Sequence, residues 1–175
     1  MLDSKETRKV LEKFAKYVIQ QSRSNLTRNN TNASKELYNS FDSEINASKN
    51  SIEVKIINPK YKEYGKFVDR GVKGTQSGSS LDGYKYTTKK PPVSAFIKWA
   101  RVKPIKPRDR ATGRFITNKQ FGFIMQNHIF KHGIKPTKFL TTPFQRAFNN
   151  LPDELLEAYG LDLEDFIKFT LDIKK

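Results

Sequence analysis

Few residues in this chain could do chemistry, and their spacing tests each chemistry in turn. His128 and His132 stand four apart, which on a helix puts two imidazoles on one face and can hold zinc. A third ligand is missing: there is no Cys and no other His, and the nearest carboxylates are Asp109 upstream and Asp153 downstream. His128 instead reads as a partly buried helix residue, and His132 fits a helix C-terminus, where cations are favoured. A magnesium nuclease needs clustered carboxylates. Glu53, Glu63 and Asp69 lie near a predicted strand and turn, without the tight strand-end grouping such a site requires. "GVKGTQSGSS", 71 to 80, lacks the Gly-Lys-Ser/Thr ending of a phosphate loop. No Ser-His-Asp spacing is present, and without Cys there is no thiolate nucleophile or disulfide. Neither an enzyme nor a cofactor is expected.

Charge is the stronger signal. The net charge is +15 and it is uneven. From Lys85 to Lys138, 14 Lys or Arg stand against one acid, Asp109; from Asn150 to Lys175, seven acids stand against Lys168, Lys174 and Lys175. A basic middle and an acidic end fit a polyanionic partner, or neighbouring copies docked head to tail; a plainly solvated surface is the bland alternative. In the basic stretch the cations interleave with Tyr84, Tyr86, Phe96, Trp99 and Phe115. Cations contact phosphate and aromatics stack on bases. A nucleic-acid-binding reading would use Lys98, Trp99, Arg101, Lys103, Lys106, Arg108, Arg110 and Arg114. No helix-turn-helix, zinc-finger or ribonucleoprotein signature is present, so such contact would be non-specific.

The elements that must position these groups follow from periodicity. With 175 residues, 36% of them hydrophobic, one domain over 1–175 with a modest core is expected. No apolar run is long enough to span a membrane, and "MLDSKETRKVLEKF" lacks the apolar stretch of a signal peptide. Cytosolic synthesis is expected. Residues 4–24 read as a helix, started near Ser4, Glu6 and Thr7, with Val10, Leu11, Phe14, Ala15, Val18 and Ile19 on one stripe. "SNLTRNNTNAS", 24–34, reads as a loop. Leu37, Phe41 and Ile45 are spaced for either a short helix or a strand face. Ile52, Val54 and Ile56 alternate with Glu53 and Lys55, which predicts a strand that Pro59 ends.

Tyr61, Tyr64, Phe67 and Val68 predict a helical turn whose aromatic face covers the sheet, released by Gly71. Residues 71–90 read as a mobile loop. Pro92 to Val102 reads as a helix with Val93, Phe96, Ile97 and Ala100 on its stripe and Trp99 off it. "KPIKPRDRATGRF" is a second basic loop. A further helix starts at Thr117 or Asn118 and ends at Gly133, with Phe121, Ile124, Met125, His128 and Ile129 on one face. An extended linker then leads into one or two acidic amphipathic helices, broken near Gly160. The expected fold class is α+β. A small antiparallel sheet is packed by a long N-terminal helix and C-terminal helices, with long basic loops and a helical insertion at about 71–135.

The order of these segments resembles a family of tailed-phage neck proteins, called tail-completion, minor tail or head–tail joining proteins (the gene-product-ten-like family). "YKEYGKFVDRGVKG" is similar to its Tyr-x-x-(Tyr/Phe)-Val-(Glu/Asp)-x-Gly-Thr segment. "TNASKELYNSF" is similar to its Thr-Gly-x-Leu-x-x-Ser segment, with Leu37 and Ser40 in place. "GIKPTKFLTTPFQRAF" resembles the Pro- and Phe-containing segment before the family's last helix. The Trp-bearing helix and "FIMQNHIFKHGI" resemble an insertion found in many members. The chain departs from the pattern at Ala33, Val72, Gln145 and Arg146.

The resemblance implies a structural virion protein that forms a ring, commonly of six copies. Such a ring joins the portal and connector to the tail, with no membrane partner and with DNA passing through its channel. In that setting Arg70, Lys73, Lys85, Lys89, Lys90, Trp99 and Arg101 are expected at contacts between neighbours. Lys103, Lys106, Arg108, Arg110 and Arg114 are expected to face DNA or acidic proteins. Tyr61, Tyr64, Phe67 and Gly71 form the motif, and Phe139, Phe144 and Phe148 anchor the C-terminal segment in the core.

Overall fold

The computed structural model describes residues 5–47 and 51–172; the expected helix start at Ser4 lies outside them. The fold is α+β. Helix α1 (Lys5–Arg28) leads to a one-turn α2 (Glu36–Asn39), then strands β1 (Asp42–Ala47) and β2 (Ile52–Ile57). A π-helical turn (Tyr61–Gly65) runs into α3 (Lys66–Arg70), followed by α4 (Val93–Val102), α5 (Asn118–His132) and α6 (Thr141–Asp172). The chain divides into two compact units. The first is Met1–Asn25, Ser40–Asn58 and Phe139–Lys175; the second is Leu26–Asn39 and Pro59–Lys138.

The first unit is built on α1, the β1–β2 hairpin and α6. Leu11, Phe14 and Val18 of α1 are buried with Leu151 of α6, and Ile45, Ile52, Val54 and Ile56 of the sheet pack against them. The strands are antiparallel with Ile45 opposite Val54, so the alternation of Ile52, Val54 and Ile56 gives the sheet its apolar face. Phe139 is fully buried and meets Phe41 edge to face, ring centroids 6.4 Å apart.

Three elements differ from the sequence reading. Helix α1 runs on to Arg28 because Leu26 is fully buried and the end is closed by Asn30. Asn30 takes a left-handed φ of 55°, while Thr31 N–H donates to the Leu26 carbonyl (3.0 Å) and Asn30 N–H to that of Thr27 (3.0 Å). This is a Schellman closure with Asn in the glycine place. The Leu37, Phe41, Ile45 spacing straddles two elements, with Leu37 on α2 and Ile45 on β1. The acidic C-terminus is one helix of 32 residues that passes Pro152 and Gly160 without a break. The packing of Leu151, Leu155 and Ala158 outweighs the roughly 1 kcal/mol helix penalty of one glycine and the bond lost at proline.

The second unit holds few buried apolar side chains. In α4 and α5, Val93 and Ile97 lie against the bare backbone of Gly122, and Trp99 stacks on Phe121 with centroids 5.9 Å apart and planes 20° apart. A full capping box starts α5, with Thr117 and Gln120 satisfying each other's backbone. The half-buried face of α5 runs through Phe121, Met125 and Ile129 as expected, but Ile124 and His128 point outward and Gly122 and Phe130 take their places. The rest is backbone pairing. Val72 and Ile134 form an antiparallel bridge, and Lys73 pairs with Lys85 in parallel.

Candidate functional site

Helix α6 carries two apolar stripes. Pro143, Ala147, Leu151, Leu155, Ala158 and Asp162 line the packed one, all buried or half-buried. Phe148, Pro152, Leu156, Tyr159, Leu163 and Ile167 line a second, the first five each one residue beyond a residue of the packed stripe and so about 100° around the helix. That second stripe is bare: Leu156 is 73% exposed, Tyr159 55% and Ile167 49%. Large apolar side chains scattered singly need no explanation, but a continuous stripe over five turns marks an interaction surface. Asp153, Glu154, Glu157 and Glu164 are interspersed on the same helix.

The helix is tied to α1 at its far end by Asp162, which is buried. Its carboxylate accepts from Glu6 N–H (2.8 Å), Thr7 N–H (2.9 Å) and the Thr7 hydroxyl (2.6 Å). The first turn of α1 is therefore capped by a side chain more than 150 residues away in sequence, satisfying donors that have no partner inside the helix. Burial alone would push the Asp162 carboxyl up. The bonds from Thr7 and Glu6, with Lys9 nearby, outweigh it and hold the carboxyl below its ordinary value.

In the second unit the "YGKFVDRG" segment is a hub of satisfied backbone. Thr137 donates through N–H (3.1 Å) and hydroxyl (2.8 Å) to the Val68 carbonyl, Lys138 N–H donates to that of Asp69 (2.9 Å), and Leu81 N–H to that of Arg70 (2.8 Å). These bonds take up the carbonyls that α3 leaves open at its end. Gly71 follows with φ 74° and ψ 174°, a region that only glycine occupies freely. A Cβ there would sit 2.7 Å from the Ile134 carbonyl oxygen and 2.8 Å from Pro136 N. The segment read as a mobile loop is pinned in the same way. Thr75, Gln76 and Ser77 N–H groups donate to the carbonyls of Phe130 and Lys131 (2.9–3.1 Å), so they cap the C-terminus of α5.

The motif aromatics find partners inside this unit. Tyr61 donates to the fully buried Asp69 carboxylate (3.2 Å), and Phe67 meets Tyr84 edge to face with centroids 5.6 Å apart. Tyr64, beside Ser34 and the Leu37 backbone, has its hydroxyl pushed up, first by burial and then by the Glu36 charge. Burial, then the Asp69 charge, pushes the Tyr61 hydroxyl up as well. Arg70 is paired with Asp82 and bonded to Tyr61, and both raise its basicity.

Most cations from Lys85 to Lys138 have no acidic partner among the described residues. Only Lys98 pairs with a carboxylate of the described residues, Glu36 at 2.8 Å. Lys90 donates to Asn127 (2.9 Å) and lies over the Phe130 ring; Lys103 donates to Asn30 (2.6 Å). Lys73, Lys85, Lys89, Arg101, Lys106, Arg110 and Arg114 are exposed. Exposed apolar residues stand among them: Trp99 and Val102 on α4, Phe123 and Ile124 on α5, and Leu81 and Tyr84 between α3 and α4.

Comparison with family models, curated proteins and solved structures finds no match for this chain. Chemistry in the residues themselves is sparse. Among the described residues no group of three or more His, Asp or Glu gathers to hold a metal, and no helix is long and apolar enough to cross a membrane. His128 and His132 lie 4.6 Å apart between ring centroids, and His132 Nδ1 is 3.0 Å from the Ser77 hydroxyl. A groove of about 630 Å³ between α1 and α6 is bordered by Lys13, Phe14, Tyr17, Arg146 and Glu154.

Three anchors expected in the core divide. Phe139 is buried, but Phe144 and Phe148 are 41% and 52% exposed and stack on each other, centroids 5.9 Å apart. Their register on α6 places them beside the packed stripe, and only Phe144 reaches Phe14, edge to face at 5.8 Å. Sequence reasoning missed the bare stripe, Asp69 and Asp162. The stripe's four- and three-residue steps are in the sequence, hidden by the assumption of a break at Gly160. The Asp162 cap has no local signal.

Proposed function

We propose that this chain is a structural subunit that docks head to tail with copies of itself. The assembly is a ring in the neck, or at the head-proximal end of the tail, of a tailed-phage particle. The observation that carries the reading is a complementarity of two surfaces. One unit exposes an apolar stripe set among acids on α6; the other exposes apolar side chains set among the exposed cations Lys73, Lys85, Lys89, Arg101, Lys106, Arg110 and Arg114. Two α6 stripes facing each other would bring like charges together, which is unfavourable, so the acidic stripe is matched to the basic unit of the next copy. Such a contact is heterologous, and heterologous contacts close into rings or run on as filaments. Ring closure, the neck location, the portal and tail partners and a count of about six come from the resemblance of "YGKFVDRG" and its neighbouring segments. The protein is made in the host cytoplasm and ends in the virion.

Two measurements test this reading. Quantitative mass spectrometry of purified particles that encode the chain should find it at several copies per portal. Sedimentation should show association that weakens as salt rises, since the charges are exposed. Absence from assembled particles, or catalytic turnover of a substrate by the purified chain, would overturn it.

A further inference from the structure

Residues 105–116 form a projecting two-stranded arm. Arg108 and Phe115 are bridged antiparallel, Asp109 N–H donates to the Arg114 carbonyl (2.8 Å) and Ile116 N–H to that of Pro107 (3.0 Å). Lys106, Arg108, Arg110 and Arg114 are all exposed on it. Asp109 is the one acid of the stretch and leaves the arm a net charge of +3 (four cations less one carboxylate). Its carboxylate is turned into the tip, accepting from Thr112 N–H (2.7 Å), the Thr112 hydroxyl (2.8 Å) and Ala111 N–H (3.0 Å). The Thr112 bonds, backbone first, hold its carboxyl below the ordinary value. The turn is thus preorganised by the stretch's own carboxylate, and its four cations face outward. Phe115 is 62% exposed, and the Arg108 guanidinium lies 4.1 Å from its ring centroid.

We propose that this arm is a nucleic-acid contact, binding the phosphodiester backbone through Lys106, Arg108, Arg110 and Arg114 and stacking unpaired bases on Phe115. Three of the four cations are arginines, whose planar fork matches phosphate in two-point contact. An exposed ring already stacked with a guanidinium is a sequence-tolerant platform for a base. A two-stranded ribbon is also narrow enough to enter a duplex groove. An acidic protein would satisfy the charges and leave Phe115 without a role. The contact is distinct from the docking of α6 and does not depend on it.

The test is fluorescence anisotropy of the full chain with labelled 20-base single strands and 20-base-pair duplexes, at about 50 and 200 mM salt. Binding should be salt-dependent and favour the single strand. The triple variant Arg108→Gln, Arg110→Gln, Arg114→Gln should lower the log–log salt slope by about 3 on duplex and weaken binding at least tenfold. Phe115→Ala should weaken the single strand about tenfold and the duplex far less. A control with the same charge change, Lys131→Gln, Lys135→Gln, Lys138→Gln, should lose much less. Arg110→Glu, an exposed single change at the tip, serves if the triple variant does not fold, and its sedimentation should match wild type. Equal losses in arm and control variants would mean net charge alone, and overturn the site. So would competition by polyglutamate as strong as by DNA of equal charge, or no binding at 50 mM salt.

Discussion

The two units of this chain are held together by different physics. In the first, α1, α6 and the hairpin bury Leu11, Phe14, Val18, Phe41, Phe139 and Leu151, and the sequence announces it through helical and strand periodicity. In the second, the buried apolar residues are Leu26, Leu37, Val72 and Ala100, a thin core for its length. Loop N–H groups there close the ends of α3 and α5, and glycines allow the chain segments to touch. Side-chain burial tolerates small adjustment; backbone capping at a strained glycine does not. The units differ as much outside. The bare stripe of α6 is set among acids, whereas most cations from Lys85 to Lys138 in the second unit have no carboxylate partner among the described residues.

Substitutions can break that contrast, and the largest effect belongs to the first unit. Phe139→Ala removes a fully buried ring and should cost about 3–5 kcal/mol in denaturant unfolding, with amide exchange accelerated across α1 and α6. Gly71→Ala should cost the second unit about 3 kcal/mol, because the new Cβ meets the Ile134 and Pro136 backbone. Its exchange signature should fall on 68–86 and 130–138 while α1 keeps its protection. If both variants loosen both units equally, the contrast is wrong. Asp162→Ala deletes a cap and should cost about 1–2 kcal/mol at pH 7. The wild-type carboxyl is held below its unfolded value, so its contribution is complete above about pH 4 and fades as pH falls through the folded value. The stability gap between wild type and variant should therefore close in acid, as followed by thermal melting from pH 7 to 2. Trp99→Ala should cost only about 1 kcal/mol, since the ring is 36% exposed and gains mainly its stack on Phe121. A loss of 3 kcal/mol or more would make Trp99 a core residue.

What was legible in the sequence divides along the same line. The α1 stripe, the β2 alternation, the Thr117 start and the Gly133 end of α5 all follow from local rules, and those rules act in the structure. The partners of "YGKFVDRG" were not legible, because its carbonyls are closed by Leu81, Thr137 and Lys138 from distant segments. Composition made 71–90 look mobile; long-range backbone bonds tie down residues 72–77. Gly160 misled for a related reason. Propensity weighs one residue, while Leu151, Leu155 and Ala158 hold the helix on both sides of it. Of the residues expected at contacts, the lysines are exposed, and Arg70 pairs with Asp82, twelve residues away in a loop, which no local rule announces.

Sedimentation of two crippled variants, apart and mixed, tests head-to-tail docking most directly. One carries Leu156→Lys and Tyr159→Lys on the bare stripe of α6; the other carries Lys85→Glu, Lys89→Glu and Arg101→Glu on the basic unit. Each alone should remain monomeric at concentrations where wild type associates. Mixed, they should form a one-to-one dimer and nothing larger, because one intact contact remains between them. A stripe variant that still self-associates, or a mixture that stays monomeric, would contradict the docking of α6 on the basic unit of the next copy.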